Sequence, residues 1–171
     1  MSAIVSLQPD LEIERPDEAW KYPYVAGAVD FKAGLRVSVQ KATDTSVGYR
    51  IVPEIHVTNT DRVSLGFLDE FCENHGLSPR LRELENTNRL EISRRDDVRD
   101  FLALIYPYLI GKSEAAEIML KRLIPGLENR EHSDEQGFLH LMYHVDKIRE
   151  LTRSREDATY TQDYFRDEFS A

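Results

Sequence analysis

The stretch that decides the fold is YVAGAVDFKAGLRVSV, Tyr24 to Val39. Its first part, up to Val29, is small and apolar. Its second part alternates, with Leu35, Val37 and Val39 apolar against polar Arg36, Ser38 and Gln40. A period of two marks a half-buried strand, and the change of period across Asp30–Gly34 marks a helix that runs into it without a loop. Upstream, Asp17 and Glu18 fall in the first turn of that helix, where acids suit the positive end of the dipole. Pro23 kinks it or marks its true start.

The rest of the chain is read from this junction. TDTSVG is turn material, and YRIVPEIHVTN (49–59) returns as a second strand with Ile51, Ile55 and Val57 on one face. Pro53 cannot donate to a ladder, so an edge strand or a bulge is expected there. DRVSLGFLDEFCENHG carries a helical stripe at Leu65, Leu68, Phe71 and Cys72, closed by Gly76. SPRLRELENTNRLEISRR reads as a second hairpin turning at Glu85–Asn88. Three helices follow: one over DDVRDFLALIYPYLIG, one capped by Ser113, and one opened by Ser133 with Gln136 as a capping box. The order α-β-β-α-β-β-α-α-α predicts an α+β architecture: a four-stranded antiparallel sheet with helices on one face and the other face open.

Length and composition set bounds. The chain of 171 residues suits one domain, with 41% hydrophobic and 31% charged residues. We expect residues 1–16 to be an arm, 17–155 the folded domain, and 156–171 a tail or short helix carrying Tyr160, Tyr164 and Phe165. No apolar run has the ~18 residues a membrane span needs, and the N-terminus lacks the pattern of a secretory signal. A single cysteine, Cys72, excludes an internal disulfide and points to a reducing compartment, the cytoplasm. Net charge is −9, with sixteen Arg but only six Lys. An acid-rich, lysine-poor surface resembles the proteins of salt-loving archaea, where a Debye length of ~3 Å at 1 M salt weakens repulsion from DNA.

YVAGAVDFKAGL resembles the signature of the LAGLIDADG homing endonucleases, a helix of small residues entering a strand through an acidic corner. The αββαββα order agrees. FLDEFCENHG resembles the family's second helix, YPYLIGKSEAAEIMLKRL the segment with its catalytic lysine, and GFLHLMYHVDKIRELTRS its C-terminal helix. The resemblance covers roughly residues 18–155 and implies a saddle-shaped sheet with extra C-terminal helices. Only one motif is present, so it also implies a homodimer joined through Tyr24, Val25, Ala26, Gly27 and Val29, with small residues letting two helices approach.

In the family, two acids end the motif, and the second binds the divalent metal that activates water. Asp30 falls on the first position and Lys32 on the second. A charged lysine has no lone pair and cannot ligate Mg²⁺. The resemblance places Lys112 and Asn59 at supporting catalytic positions, insufficient without that acid. No cofactor is therefore expected, and Mg²⁺ only if nuclease activity survives with Asp30 or Asp61 as a displaced ligand. The face implied to read double-stranded DNA comprises Lys32, Arg36, Ser38, Gln40, Arg50, His56, Arg80, Arg82 and Arg89, with Glu54 and Glu91 among them. Arg suits guanine, Gln adenine and a carboxylate the cytosine amino group. The expected site is pseudo-palindromic, because site symmetry mirrors protein symmetry. HLMYH on the last long helix lacks the glutamate of a zinc protease, and Cys72 lies on a core stripe. The first expectation is thus a non-cutting DNA-binding homodimer. An active site-specific endonuclease, or an interaction module binding protein through its sheet, are the alternatives.

Overall fold

A computed structural model describes residues 17–153 and 158–171. The expected arm, residues 1–16, lies outside the described residues. A 3₁₀ turn, Glu18–Trp20, capped by Asp17, leads into α1 (Lys21–Lys32), with Pro23 in its first turn. The chain passes directly into β1 (Ala33–Lys41) and returns as β2 (Tyr49–Asn59). There follow α2 (Arg62–Asn74), β3 (Arg80–Glu83), β4 (Asn88–Ile92) and α3 (Arg95–Ile105). The C-terminal part contains α4 (Ser113–Ile118), a π-helical turn (Met119–Leu123), α5 (Ile124–Glu128), α6 (Glu135–Leu151) and α7 (Gln162–Ser170). Among the described residues, no helix is long and apolar enough to cross a membrane.

The four strands form one antiparallel sheet in the order β1-β2-β4-β3. This corrects the expectation that β2 is an edge strand. Pro53 is tolerated because β4 pairs with β2 only from Ile55 onward, so at Pro53 the strand has a neighbour on one side alone. Alternation then sorts the side chains. Leu35, Val37, Val39, Ile51, Ile55, Val57, Leu90 and Ile92 are buried beneath the sheet among the helices. Across the ladder, Arg36 faces Glu54, Gln40 faces Arg50, His56 faces Glu91 and Arg82 faces Arg89, all on the opposite face.

Two helix starts differ from expectation. Asp134, not Ser133, caps α6, its carboxylate accepting from Gly137 N at 2.8 Å. Ser113 is the first residue of α4 rather than its cap, and Lys112 holds the cap position without a side-chain bond. At the end of α2, Gly76 adopts φ +73°, the left-handed conformation that ends helices at low cost for glycine.

The aromatic tail is a docked helix. Phe165 of α7 is fully buried, 4.7 Å from the Tyr49 ring and 4.8 Å from that of Phe138, both edge-on. Arg149, itself buried in α6, ties the layers together by donating to Tyr160 O (2.5 Å) and to Val37 O (3.2 Å) in β1.

Candidate nucleic-acid interface

The helix-to-strand junction builds the site. Asp30, in the last turn of α1, accepts from Ile110 N (2.8 Å) and Lys112 N (2.9 Å), pinning the segment before α4 against the end of α1. In return Lys112 Nζ donates to the Asp30 carbonyl. Lys32 lies exposed at the same helix end. Cations suit this position, because the last turn of a helix presents carbonyls without intrahelical partners.

Immediately beyond, the open sheet face forms a cup of about 260 Å³ lined by Lys32, Gly34, Arg36, His56, Thr58, Arg89 and Lys112, among others. Five basic side chains meet there and no carboxylate lines the cup. Burial holds His56 below the usual histidine range; Glu54, 3.8 Å from Nε2, opposes that and Arg36 adds to it. The ring is neutral near pH 7, so its Nδ1, 3.5 Å from Arg36 Nη1, serves as an acceptor for the guanidinium. Glu91 holds Arg82 at 2.9 Å and reaches Arg89 at 3.7 Å. Arg89 Nε is buried with no hydrogen-bond partner among the described residues.

Away from the cup, the open face carries Ser38 and Gln40, with Gln40 Nε2 donating to Ser38 Oγ at 3.3 Å. Arg50 pairs with Asp44 at 2.5 Å near the hairpin end. Arg80 and Arg82 project from β3 on the same side. Exposed pairs of this kind are worth about 0–1 kcal/mol, so a phosphate or base edge can take over the arginines at little cost.

Other expected residues fall elsewhere. Asn59 lines a separate small depression with Tyr24, Ala28 and Phe67, and its Oδ1 accepts from Asp61 N at 3.1 Å. It is the last residue of β2, and it does not line the cup that holds Lys112. Of the expected interface, Val25, Ala26 and Val29 are corrected: all three are at most 1% exposed inside this chain's own core. The helical period places them inward, and Tyr24, Gly27, Ala28 and Phe31 outward. Around that outward stripe, Phe31 and Ile110 are each 88% exposed, Val63 is 81% exposed, and Tyr24 packs edge-on against Phe67 at 5.2 Å. Thr58 was legible by alternation from His56, yet sequence reasoning missed it.

No protein-family model matches this sequence, and no curated protein is similar to it by sequence. Solved structures are similar. The homing endonuclease I-CvuI, in complex with a DNA target, superposes with a TM-score of 0.77 at 18% identity, covering 88% of this chain and 93% of its own. The archaeal intron-encoded homing endonuclease I-Vdi141I, complexed with DNA, gives 0.75 at 20% identity, covering 90% and 97%. The LAGLIDADG homing endonuclease I-SmaMI, bound to cleaved DNA, gives 0.65 at 20% identity, with 86% of this chain matching 47% of that one. The fold is that of the LAGLIDADG homing endonucleases.

I-CvuI complexes are known with Mg and with Ca, so the fit of a divalent metal to this chain is a chemical question. A hard cation needs several oxygen donors within about 2.0–2.6 Å. Here Lys32 stands at the corner, and both Asp30 oxygens hold backbone N–H groups. Asp61 caps α2, accepting from Val63 N (2.9 Å) and Ser64 Oγ (2.5 Å). The Ser64 hydroxyl and then that N–H lower its pKa. Among the described residues, no group of three or more His, Cys, Asp or Glu is placed to hold a metal. The donor set of the described residues of one subunit does not fit such a cation.

Proposed function

We propose that the protein is a sequence-specific, duplex-DNA-binding homodimer that grips its site without cutting it, as a regulator or architectural factor. One observation carries this reading: in a chain of net charge −9, the cup at the strand junction gathers four cationic side chains (Lys32, Arg36, Arg89 and Lys112) beside neutral His56, and no acid. An ammonium at Lys32 holds a phosphate as a point charge. The open face beside it offers arginines, Gln40 and two glutamates, a set able to address base edges in a major groove.

The second subunit is supported by two facts. The chain matches nearly all of I-CvuI and I-Vdi141I but less than half of I-SmaMI. Its outward α1 stripe leaves Tyr24 and Phe31 exposed around Gly27, an apolar patch of the kind that marks an interface.

Selection of retained sequences from a random duplex pool, with and without Mg²⁺, tests the reading. Enrichment of a pseudo-palindrome without strand scission is the expected result. Mg²⁺-dependent scission establishes the endonuclease instead, and no retention at any salt concentration establishes a protein-binding sheet. On the selected duplex, Lys32→Asp is expected to weaken binding and to reduce the slope of log K against log salt by roughly 0.9 for each phosphate that Lys32 neutralises. An unchanged slope removes Lys32 from the interface.

A further inference from the structure

A second basic recess, of about 240 Å³, lies at the far end of the β1–β2 hairpin. The ladder explains the gap: β2 pairs with β1 from Tyr49 to Val57, but β4 joins it only at Ile55, leaving one edge of residues 51–53 uncovered. Beyond Ile92 the chain turns away from that edge into α3. Arg50 and Thr45 enter the gap from the hairpin, Ser93 and Arg95 from the β4–α3 junction, and His132 from the turn before α6. No carboxylate lines the recess. Asp44 is outside the lining and pairs with Arg50 at 2.5 Å.

His132 supplies a second, separate observation. Its Nδ1 is buried with no hydrogen-bond partner among the described residues. Buried polar nitrogens nearly always have one. Around that ring the recess offers two guanidinium groups and the Ser93 hydroxyl, the Thr45 hydroxyl already donating to Ala42 O (3.2 Å) and Tyr49 O (3.1 Å), with Arg130 close enough to depress the imidazole further after burial and Arg95.

We infer that this recess is an anion site that holds a phosphate group. Guanidinium forks match phosphate oxygens in pairs, and the Ser93 hydroxyl can donate to a remaining lone pair beside the His132 ring, which reports on the occupant. The site is distinct from the cup. His56 and Arg50 are six residues apart on β2, so the two basic centres stand about 20 Å from one another along the strand. On the reading of the protein as a DNA binder, the occupant is a backbone phosphate of the duplex passing the hairpin end. A free phosphate offers the same chemistry, and the experiment separates the two.

In the full chain, the imidazole resonances of His132, assigned by their loss in His132→Gln, are followed as inorganic phosphate replaces chloride at constant ionic strength. A saturable shift of His132, abolished in Arg95→Glu, is expected. That variant is suited to fold, because Arg95 is exposed and a glutamate in the first turn of α3 complements the helix dipole. No saturable shift, or one undiminished in Arg95→Glu, overturns the site. Binding to the selected duplex and to a scrambled one is then measured for Arg95→Gln. Equal weakening on both, with a salt slope lower by about one per subunit, identifies the occupant as a duplex phosphate. A phosphate shift at His132 with unchanged DNA binding overturns the duplex assignment and leaves a free-phosphate site. A phosphate shift in a protein that retains no duplex refutes the DNA reading alone.

Discussion

Asp30 accepts from two backbone N–H groups of the segment before α4, so its removal has a cost in stability. Asp30→Ala is expected to lower unfolding free energy by about 1.5–3 kcal/mol, the range for hydrogen bonds to a charged group. Urea denaturation measures it. An unchanged midpoint, combined with loss of a cleavage activity present in the parent, would instead make Asp30 a metal ligand. His56 carries a pH signature of the cup. Burial holds its folded pKa below the value of about 6.5 of an unfolded chain, so below pH 6.5 the unfolded state binds more protons. Stability therefore falls as pH drops from 6.5 through the folded value. His132 and His144, lowered also chiefly by burial, contribute in the same direction. His56→Asn is expected to make the fall shallower without abolishing it; an identical pH profile would show that His56 is not held neutral in the fold.

α7 is joined to the rest by one buried ring and a few polar ties. Phe165 packs against Tyr49 and Phe138, Gln162 N donates to Asp146 Oδ2 at 2.8 Å, and Gln162 Nε2 donates to Leu139 O at 2.9 Å. Phe165→Ala should cost about 3–5 kcal/mol, the range for emptying a core aromatic site. A loss well under 1 kcal/mol would mean that α7 is a loosely held appendage. Because Arg149 links Tyr160 to β1, undocking of this element also reaches the strand that carries Arg36 and Gln40. Strand β2 shows a sequence rule met locally: the strand is internal, yet at Pro53 it is paired on one side alone. Pro53 forbids a ladder bond, and β4 simply begins two residues later.

On our reading, assembly rests on Gly27. A Cβ added there meets nothing within 4 Å beyond the helix's own backbone, so packing among the described residues does not require a glycine at that point. Gly27→Leu is expected to keep the helical circular dichroism and the unfolding temperature, since leucine favours a helix by about 0.8 kcal/mol over glycine. On our reading it converts the dimer to a monomer in light scattering and abolishes tight binding to a full palindrome. A parent protein that is monomeric at micromolar concentration refutes the pairing of α1 helices directly. The overall charge of −9 adds a salt dependence of two signs. On the DNA-binding reading, screening weakens the grip of the cup on phosphate and also the repulsion between the acidic remainder and DNA.

The alternation in β1 and β2, the stripe of α2 and the change of period at Asp30–Gly34 were all legible in the sequence, because each depends only on the local period of burial. So was the inability of a charged Lys32 to ligate a divalent cation, which needs nothing but the residue's chemistry. The inward turn of Val25, Ala26 and Val29 was not legible, since a stretch apolar on every side does not tell which face meets its own core. Nor was the tie of Asp30 to residues 110 and 112, or the meeting of Arg95 with His132: such pairings join positions distant in sequence, and only packing brings them within reach. Local period thus set the elements, while long-range burial and pairing decided which polar groups face one another.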